Sequence, residues 1–522
     1  MSDAPHDLVA LGALLYADDQ LEEARVQLEA AFVGLRELGD LRTAAVVAGR
    51  LGELHAGSLG NEAVGRGWME RGRELLEQVG PCVEWGYWEL ARLACDRPDV
   101  EDLTASTERA LAIAREFGDV GLEARALADS GLALVTKGRV REGFARLDQA
   151  LATLSSGEVG DPYVVGTALC SLLSSCDRAG DVERAIESIR LVETLLLQPF
   201  DGRPRVLGTH CKLAFGSVLC SAGRWTEGEA ALLEAIGPDA SKSRGHRVEA
   251  QSRLAEVRVH QGRLDDAAEL LATIEDSVAA AGPLALVHLR RGQPDLAAAV
   301  LRHAVKRMVS DVLRGAPLLS LLVEAELAQG EVAAARAASA LLDSMASVVD
   351  APVVPALAAL ARGRIALAAG DAAASVPAFE QALDLLGEDH PLVRAAALLD
   401  LATAHEATGD AGAAVVAARS AHAAATRLQA SSLVDRASSV LRSLGVTPPR
   451  PASLDGALGG LTARELDVLA GIQRGDSNAQ IAAALFVSPK TVEHHVGRIL
   501  AKLGVRTRAE AAAVAARSGG AN

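Results

Sequence analysis

Aromatic side chains make up only 3% of this 522-residue chain, although half of it is apolar. A core with so little Phe, Tyr and Trp must be filled by Ala, Leu and Val. Alanine and leucine favour helices, whereas strands draw on β-branched and aromatic residues, so the expectation is an all-α protein. Lysine is scarce as well. Only six occur, at 137, 212, 242, 306, 490 and 502, and the other 46 of the 52 basic residues are arginine. None of the six follows a glycine, so the Gly-Lys-Ser/Thr step that carries a P-loop lysine to the β and γ phosphates is missing. The six cysteines, Cys82, Cys95, Cys170, Cys176, Cys211 and Cys220, contain no Cys-x-x-Cys, and no histidine stands at zinc-finger spacing. They read as buried thiols in a reducing compartment. His55, His210, His260, His288 and His405 show no metal-ligand spacing. Asp18-Asp19, the sort of acidic pair found in a phosphorylated receiver domain, lacks flanking strand patterns and reads as a solvated turn. No run of eighteen uncharged apolar residues occurs, and no basic segment precedes the first apolar run, so neither a membrane span nor a signal peptide is expected. Together these absences point to a cytoplasmic protein without catalytic, metal or cofactor chemistry.

What charge there is lies unevenly. The formal net charge is −16. Residues 459–522 carry eight Lys/Arg against five Asp/Glu, or +3, and the first 458 carry 44 against 63, or −19. A basic end on an acidic body suits nucleic-acid binding confined to that end.

Glycine supplies the clearest pattern. Gly138, Gly180, Gly223, Gly262, Gly292, Gly330, Gly370 and Gly409 recur 30 to 43 residues apart, between amphipathic stretches. Asp19, Ser58 and Arg97 fall where earlier turns would lie. Five residues after each glycine stands a small residue (Gly143, Ala185, Gly228, Ala267, Ala297, Ala335, Ser375, Ala414), which would let two helices approach closely. A period near 40 with two helices per unit implies a repeat architecture of about ten or eleven pairs over 1–444. Most prolines, Pro317 among them, fall between units, and Pro377 lies inside an expected helix. The Gly-Asp-x-x-x-Ala turns, Gly180 to Ala185 and Gly409 to Ala414, resemble tetratricopeptide-like repeats, although the period exceeds 34. From 445 to 460 the pattern stops. GVTPPRPASLDGALGG reads as a flexible linker.

The remaining segment, 461–522, reads as four short helices with their own start signals. Thr462 precedes Glu465 by three residues, Ser477 precedes Gln480, and Thr507 precedes Glu510, which are capping boxes. Ser488-Pro489 is a serine cap with proline at the first helical position. In the third helix Val492, Val496, Ile499, Leu500 and Leu503 form one apolar stripe. Lys490, Thr491, His494 and Arg498 lie opposite, flanked by Glu493 and Gly497. A tight Phe486-Val487 corner joins it to the helix carrying Ile481, Ala482 and Leu485. Two helices so joined form a helix-turn-helix, whose second helix can enter the DNA major groove.

Leu461, Thr462, Arg464, Glu465, Val468, Leu469, Gly475, Asn478, Ile481, Ala482, Leu485, Ser488, Thr491, Val492, His495, Ile499, Lys502, Leu503, Gly504 and Arg508 give this segment its specific character. It resembles the LuxR-type (GerE-like) DNA-binding domain of bacterial transcription regulators. The resemblance covers roughly sixty residues and departs at Glu493, where many members carry lysine. It implies base contacts from Glu493, His494 and Gly497, and phosphate contacts from Ser488, Lys490, Thr491, Arg498 and Lys502. Asn478, at the start of the second helix, is a further phosphate candidate. It also implies a dimer contact in the fourth helix through Ala511, Val514 and Ala515. With the repeats, the whole looks like the C-terminal half of the large ATP-binding LuxR regulators without their ATPase. The implied function is a transcription regulator that binds double-stranded promoter DNA as a homodimer. Its solenoid would receive a protein or small-molecule effector, and RNA polymerase enters as a candidate partner. The alternative is an interaction scaffold with an accessory DNA-localising module.

Overall fold

The computed structural model describes residues 4–96, 100–198, 205–237, 243–308, 311–449, 463–473, 476–484, 488–503, 505, 507–508 and 510–512. Among them there are helices and turns and no strand. The chain divides into two units, Met1–Val446 and Thr447–Asn522. No helix among the described residues is long and apolar enough to cross a membrane.

The first unit consists, among the described residues, of eleven helix pairs closed by a single helix, Ser431–Ser443. The two helices of a pair are built differently. Twelve of the 17 residues of Val120–Thr136 are buried, against five of the 16 in its partner Val140–Ser155. The first helix packs on both its partner and the first helix of the next pair, Pro162–Ala179, so it is covered nearly all round. The second buries one stripe and turns the rest to solvent.

All eight expected turn glycines lie between the helices of a pair, with φ from +70° to +83°. That left-handed conformation ends the first helix and reverses the chain, and only glycine adopts it without steric cost. In the first pair Asp19 does the same work at φ +63°. The small residues five positions on are all buried. At Gly143 an added Cβ would stand 2.6 Å from the Gly131 carbonyl oxygen, and at Gly228 it would stand 2.9 Å from that of Gly216. Backbone therefore crosses backbone at these points.

One expectation about proline needs correcting. Pro317 is the sixth residue of Val312–Ala328, as Pro377 is of Ala372–Leu386. Neither separates units. So near the start of a helix a proline forgoes one backbone bond and leaves the rest of the ladder intact.

The array coils back on itself. Asp350 accepts from the N–H groups of Val140 (2.6 Å) and Arg141 (3.2 Å), capping a helix 210 residues away in sequence, and its own N–H donates to the Gly138 carbonyl. Ser431 Oγ donates to the carbonyl of Gln261 at 2.9 Å. First helices of different pairs are also tied by charge. Arg125 meets Glu53 at 2.8 Å, Arg178 meets Asp311 at 3.2 Å, Arg253 meets Asp177 at 3.3 Å and Arg364 meets Asp400 at 2.7 Å.

Candidate nucleic-acid interface

The second unit folds around Val468, Leu469 and Ile472 of Ala463–Gln473, Ile481 and Ala482 of Asn478–Ala484, and Val492 and Ile499 of Pro489–Leu503. Val496 and Leu500 pack against this core half-buried. The stripe expected of the third helix thus faces inward, with the Leu503 side chain outside the described residues. Gly471 sets how closely the first two helices meet, since a Cβ there would lie 2.6 Å from Ile481 Cγ1.

The caps fix where each helix begins. Ser477 N–H donates to Gln480 Oε1 at 2.8 Å and Gln480 N–H to Ser477 Oγ at 3.3 Å, a reciprocal box. Thr507 and Glu510 form another, at 3.2 Å each way. Ser488 Oγ accepts from Thr491 N–H at 3.1 Å. The box expected at Thr462 and the corner at Phe486-Val487 lie outside the described residues.

Burying Val492 and Ile499 turns Lys490, Thr491, Glu493, His494, Gly497 and Arg498 outward, and all six are exposed. Nothing lies within 4 Å of a Cβ built on Gly497, so this part of the helix offers bare backbone to whatever approaches. Among the described residues neither Lys490 nor Arg498 makes an ion pair. The Ser488 and Thr491 hydroxyls are 2.8 Å apart, so each already has a partner within the cap. His495, between the exposed face and the stripe, is half-buried, and its shielded Nδ1 has no hydrogen-bond partner.

Three assigned residues have other work. Lys502 Nζ lies 2.6 Å from Glu465 Oε2, and Glu465 is only 2% exposed. A buried carboxylate needs that cation, so Lys502 ties the third helix to the first and is not a free phosphate contact. Asn478 Oδ1 accepts from Arg508 Nη1 at 2.7 Å, and Arg508 also donates to the carbonyl of Asp476. That clamp holds the segment after the third helix against the start of the second. It spends the amide oxygen of Asn478 inside the domain. Ala511 is fully buried in the domain core, so it supports its segment and has no surface for a second subunit. Val514 and Ala515 lie outside the described residues. Glu465 and Arg508 stood among the residues carrying the sequence resemblance, but their bonds run 37 and 30 residues along the chain and no spacing rule reveals them. No group of three side chains suited to a metal ion occurs among the described residues.

The family of bacterial regulatory proteins called luxR matches residues 460–515. YhcZ of Bacillus subtilis, an uncharacterized transcriptional regulatory protein, is 60% identical over 52 residues, 10% of this chain and 24% of YhcZ. The probable transcriptional regulatory protein NarL of Mycobacterium tuberculosis is 53% identical over 57 residues, 11% of this chain and 26% of NarL. The putative regulator Rv0890c of the same species is 46% identical over 61 residues, 12% of this chain and 7% of that protein. The chain thus spans a quarter or less of the length of most of these curated relatives. Among solved structures, yeast Tom70 aligns over 84% of this chain and 96% of its own, at 14% identity and a TM-score of 0.32. The helices, caps and core of this unit and the family match therefore have one description: residues 460–515 carry a helix-turn-helix domain of the luxR family.

Proposed function

We propose that this chain is a cytoplasmic transcription regulator that binds promoter DNA through the helix Pro489–Leu503. The carrying observation is the outward face of that helix, where Lys490 and Arg498 flank Glu493, His494 and Gly497 on a capped and buried support. In this reading the two cations meet phosphates and set affinity. Glu493 and His494 meet base edges and set preference, with Gly497 allowing close approach. Residues 445–460 act as a linker, and the helical-repeat body receives the signal.

Dimerisation belongs to the same proposal. With Ala511 used inside the domain, Val514 and Ala515 remain as the contact between two copies on paired half-sites about one helical turn apart. Mapping the sites occupied in cells tests the function: they should cluster upstream of genes whose transcription changes on deletion. Occupancy with no transcriptional change would leave only a DNA-localising role. Gel shifts on one-site and two-site duplexes test the dimer, because Val514→Asp should remove the advantage of the paired site and spare single-site binding.

A further inference from the structure

The chain contains only three tyrosines, and all three line two neighbouring cavities in the first half of the repeat body. One cavity, about 200 Å³, lies between the helix Pro5–Ala17 and the start of Pro162–Ala179, under Tyr16. The other, about 250 Å³, is bordered by Tyr87 and Trp88. Arg50, Glu53, Asp161 and Tyr163 line both. In so aromatic-poor a protein, packing by Ala and Leu is the rule, and this concentration is a departure from it.

The shared wall is held by pairs of its own, although Arg125 Nε is shielded from solvent with no hydrogen-bond partner and lies 3.7 Å from Asp129. Glu53 accepts from Tyr163 Oη at 2.6 Å and from Arg125 Nη2 at 2.8 Å, and Arg50 Nη2 donates to Asp161 at 3.2 Å. Both guanidinium groups stand over the Tyr163 ring, at 5.8 and 5.3 Å from its centre. Burial pushes the Tyr16 hydroxyl up to about 12, so it stays a neutral donor. A π-helical turn, Leu54–Ser58, follows Glu53 directly and sets Leu54 into the wall of the smaller cavity. Such turns are rare and gather at functional sites.

The larger cavity is not balanced. Asp119 on its wall accepts from Tyr87 Oη at 3.0 Å and from the N–H of Leu122 at 2.7 Å. Glu84 also lines it; the Cys82 thiol, a weak donor, interacts with its carboxylate, and its Oε2 is shielded from solvent with no hydrogen-bond partner. A carboxylate oxygen removed from water without a donor is costly. The chemistry that would relieve it is a cationic donor, and aromatic faces beside it favour the same charge.

We propose that this site binds a small organic amine, its ammonium against Glu84 between Tyr87 and Trp88, and its apolar body along the Val46 and Val83 side of the cavity. The regulatory meaning rests on the body being the signal-receiving part; the binding does not. Calorimetric titration of the full chain with 2-phenylethylamine, 2-phenylethanol and 3-phenylpropionate tests it. Saturable one-to-one binding of the amine is expected, roughly tenfold or more tighter than the alcohol, with no binding of the acid. Glu84→Gln should erase the preference for amine over alcohol. Val46→Phe, which fills the cavity without touching an ion pair, should abolish binding of both while the helical spectrum stays unchanged. Equal affinity for amine and alcohol, no saturable heat with the amine, or an amine affinity unchanged in Val46→Phe would overturn the site. DNA affinity of the full chain with and without saturating amine is read separately. A change supports the signalling role, and constancy alongside amine binding removes that role and keeps the site.

Discussion

The two units of this protein use charge in opposite ways. In the repeat body, several arginines on the first helices are turned inward and matched with carboxylates from other pairs, as Arg125 is with Glu53 and Arg364 with Asp400. In the luxR-family domain, Lys490 and Arg498 are turned outward and make no ion pair among the described residues, whereas Lys502 is spent on the buried Glu465. The number of charges therefore says little about function in this chain. What distinguishes structural cations from binding ones is whether the fold supplies their counter-ion.

That contrast can be broken most severely at Arg125, whose side chain is 8% exposed and which also lies 3.7 Å from Asp129. Arg125→Ala should destabilise the body by about 3–5 kcal/mol, because it strands buried carboxylates. Urea unfolding followed by helical signal checks this, and a loss under about 1 kcal/mol would mean that water already screens the pair. The same logic applies on a smaller scale in the second unit. Lys502→Ala should lower that unit's stability by about 1–3 kcal/mol by leaving Glu465 without its cation, while Lys490→Ala leaves the melting temperature where it was. Equal effects of the two substitutions would erase the distinction between them.

Two glycines separate conformational strain from crowding. Gly370 and Gly138 have φ of +82° and +83°, but a Cβ on Gly370 meets nothing within 4 Å whereas one on Gly138 would stand 2.5 Å from Val349 Cγ2. Gly370→Ala should cost about 1 kcal/mol, from backbone strain alone. Gly138→Ala should cost more, because it also pushes apart two turns of the coil. Similar losses in thermal unfolding would show that this contact contributes nothing.

The smallest expected effect is on pH dependence. Burial pushes His246 down to about 3 and holds His210 and His260 below their usual value, while neighbouring arginines and His210 outweigh burial at Glu249 and bring it to about 2. Below about pH 6.5 the unfolded chain takes up protons that the folded body refuses. Stability of the body should therefore fall as pH drops from about 6.5 towards 3, with Glu249 adding to the loss below about 4.5. Urea midpoints of the body at pH 7.5 and 5.5 check this, and a midpoint that does not move would place those histidines in contact with water.

Turns were legible in the sequence because a left-handed turn between helices nearly demands glycine, and the residue five positions on must be small where backbones cross. The helix face at Lys490 to Arg498 was legible for a similar reason, since the apolar stripe leaves only one outward side. Local rules could not give what depends on distant partners. Asp350 capping a helix 210 residues away, Pro317 inside a helix, the Glu465–Lys502 pair and the Asn478–Arg508 clamp each turn on a neighbour that spacing does not name. For the same reason the convergence of Tyr16, Tyr87 and Tyr163 is invisible along the chain.

The central claim is that unmatched cations of the third helix bind DNA, and fluorescence anisotropy of the full chain on a duplex selected from a random pool tests it most directly. Lys490→Ala should weaken binding to the selected and a shuffled duplex by the same factor and reduce the slope of log affinity against log salt by about 1. His494→Ala should instead narrow the gap between the two duplexes, by about 1–3 kcal/mol if its base contact is made. Unchanged affinity and salt slope in Lys490→Ala, together with an unchanged gap in His494→Ala, would contradict the assignment of this face to DNA.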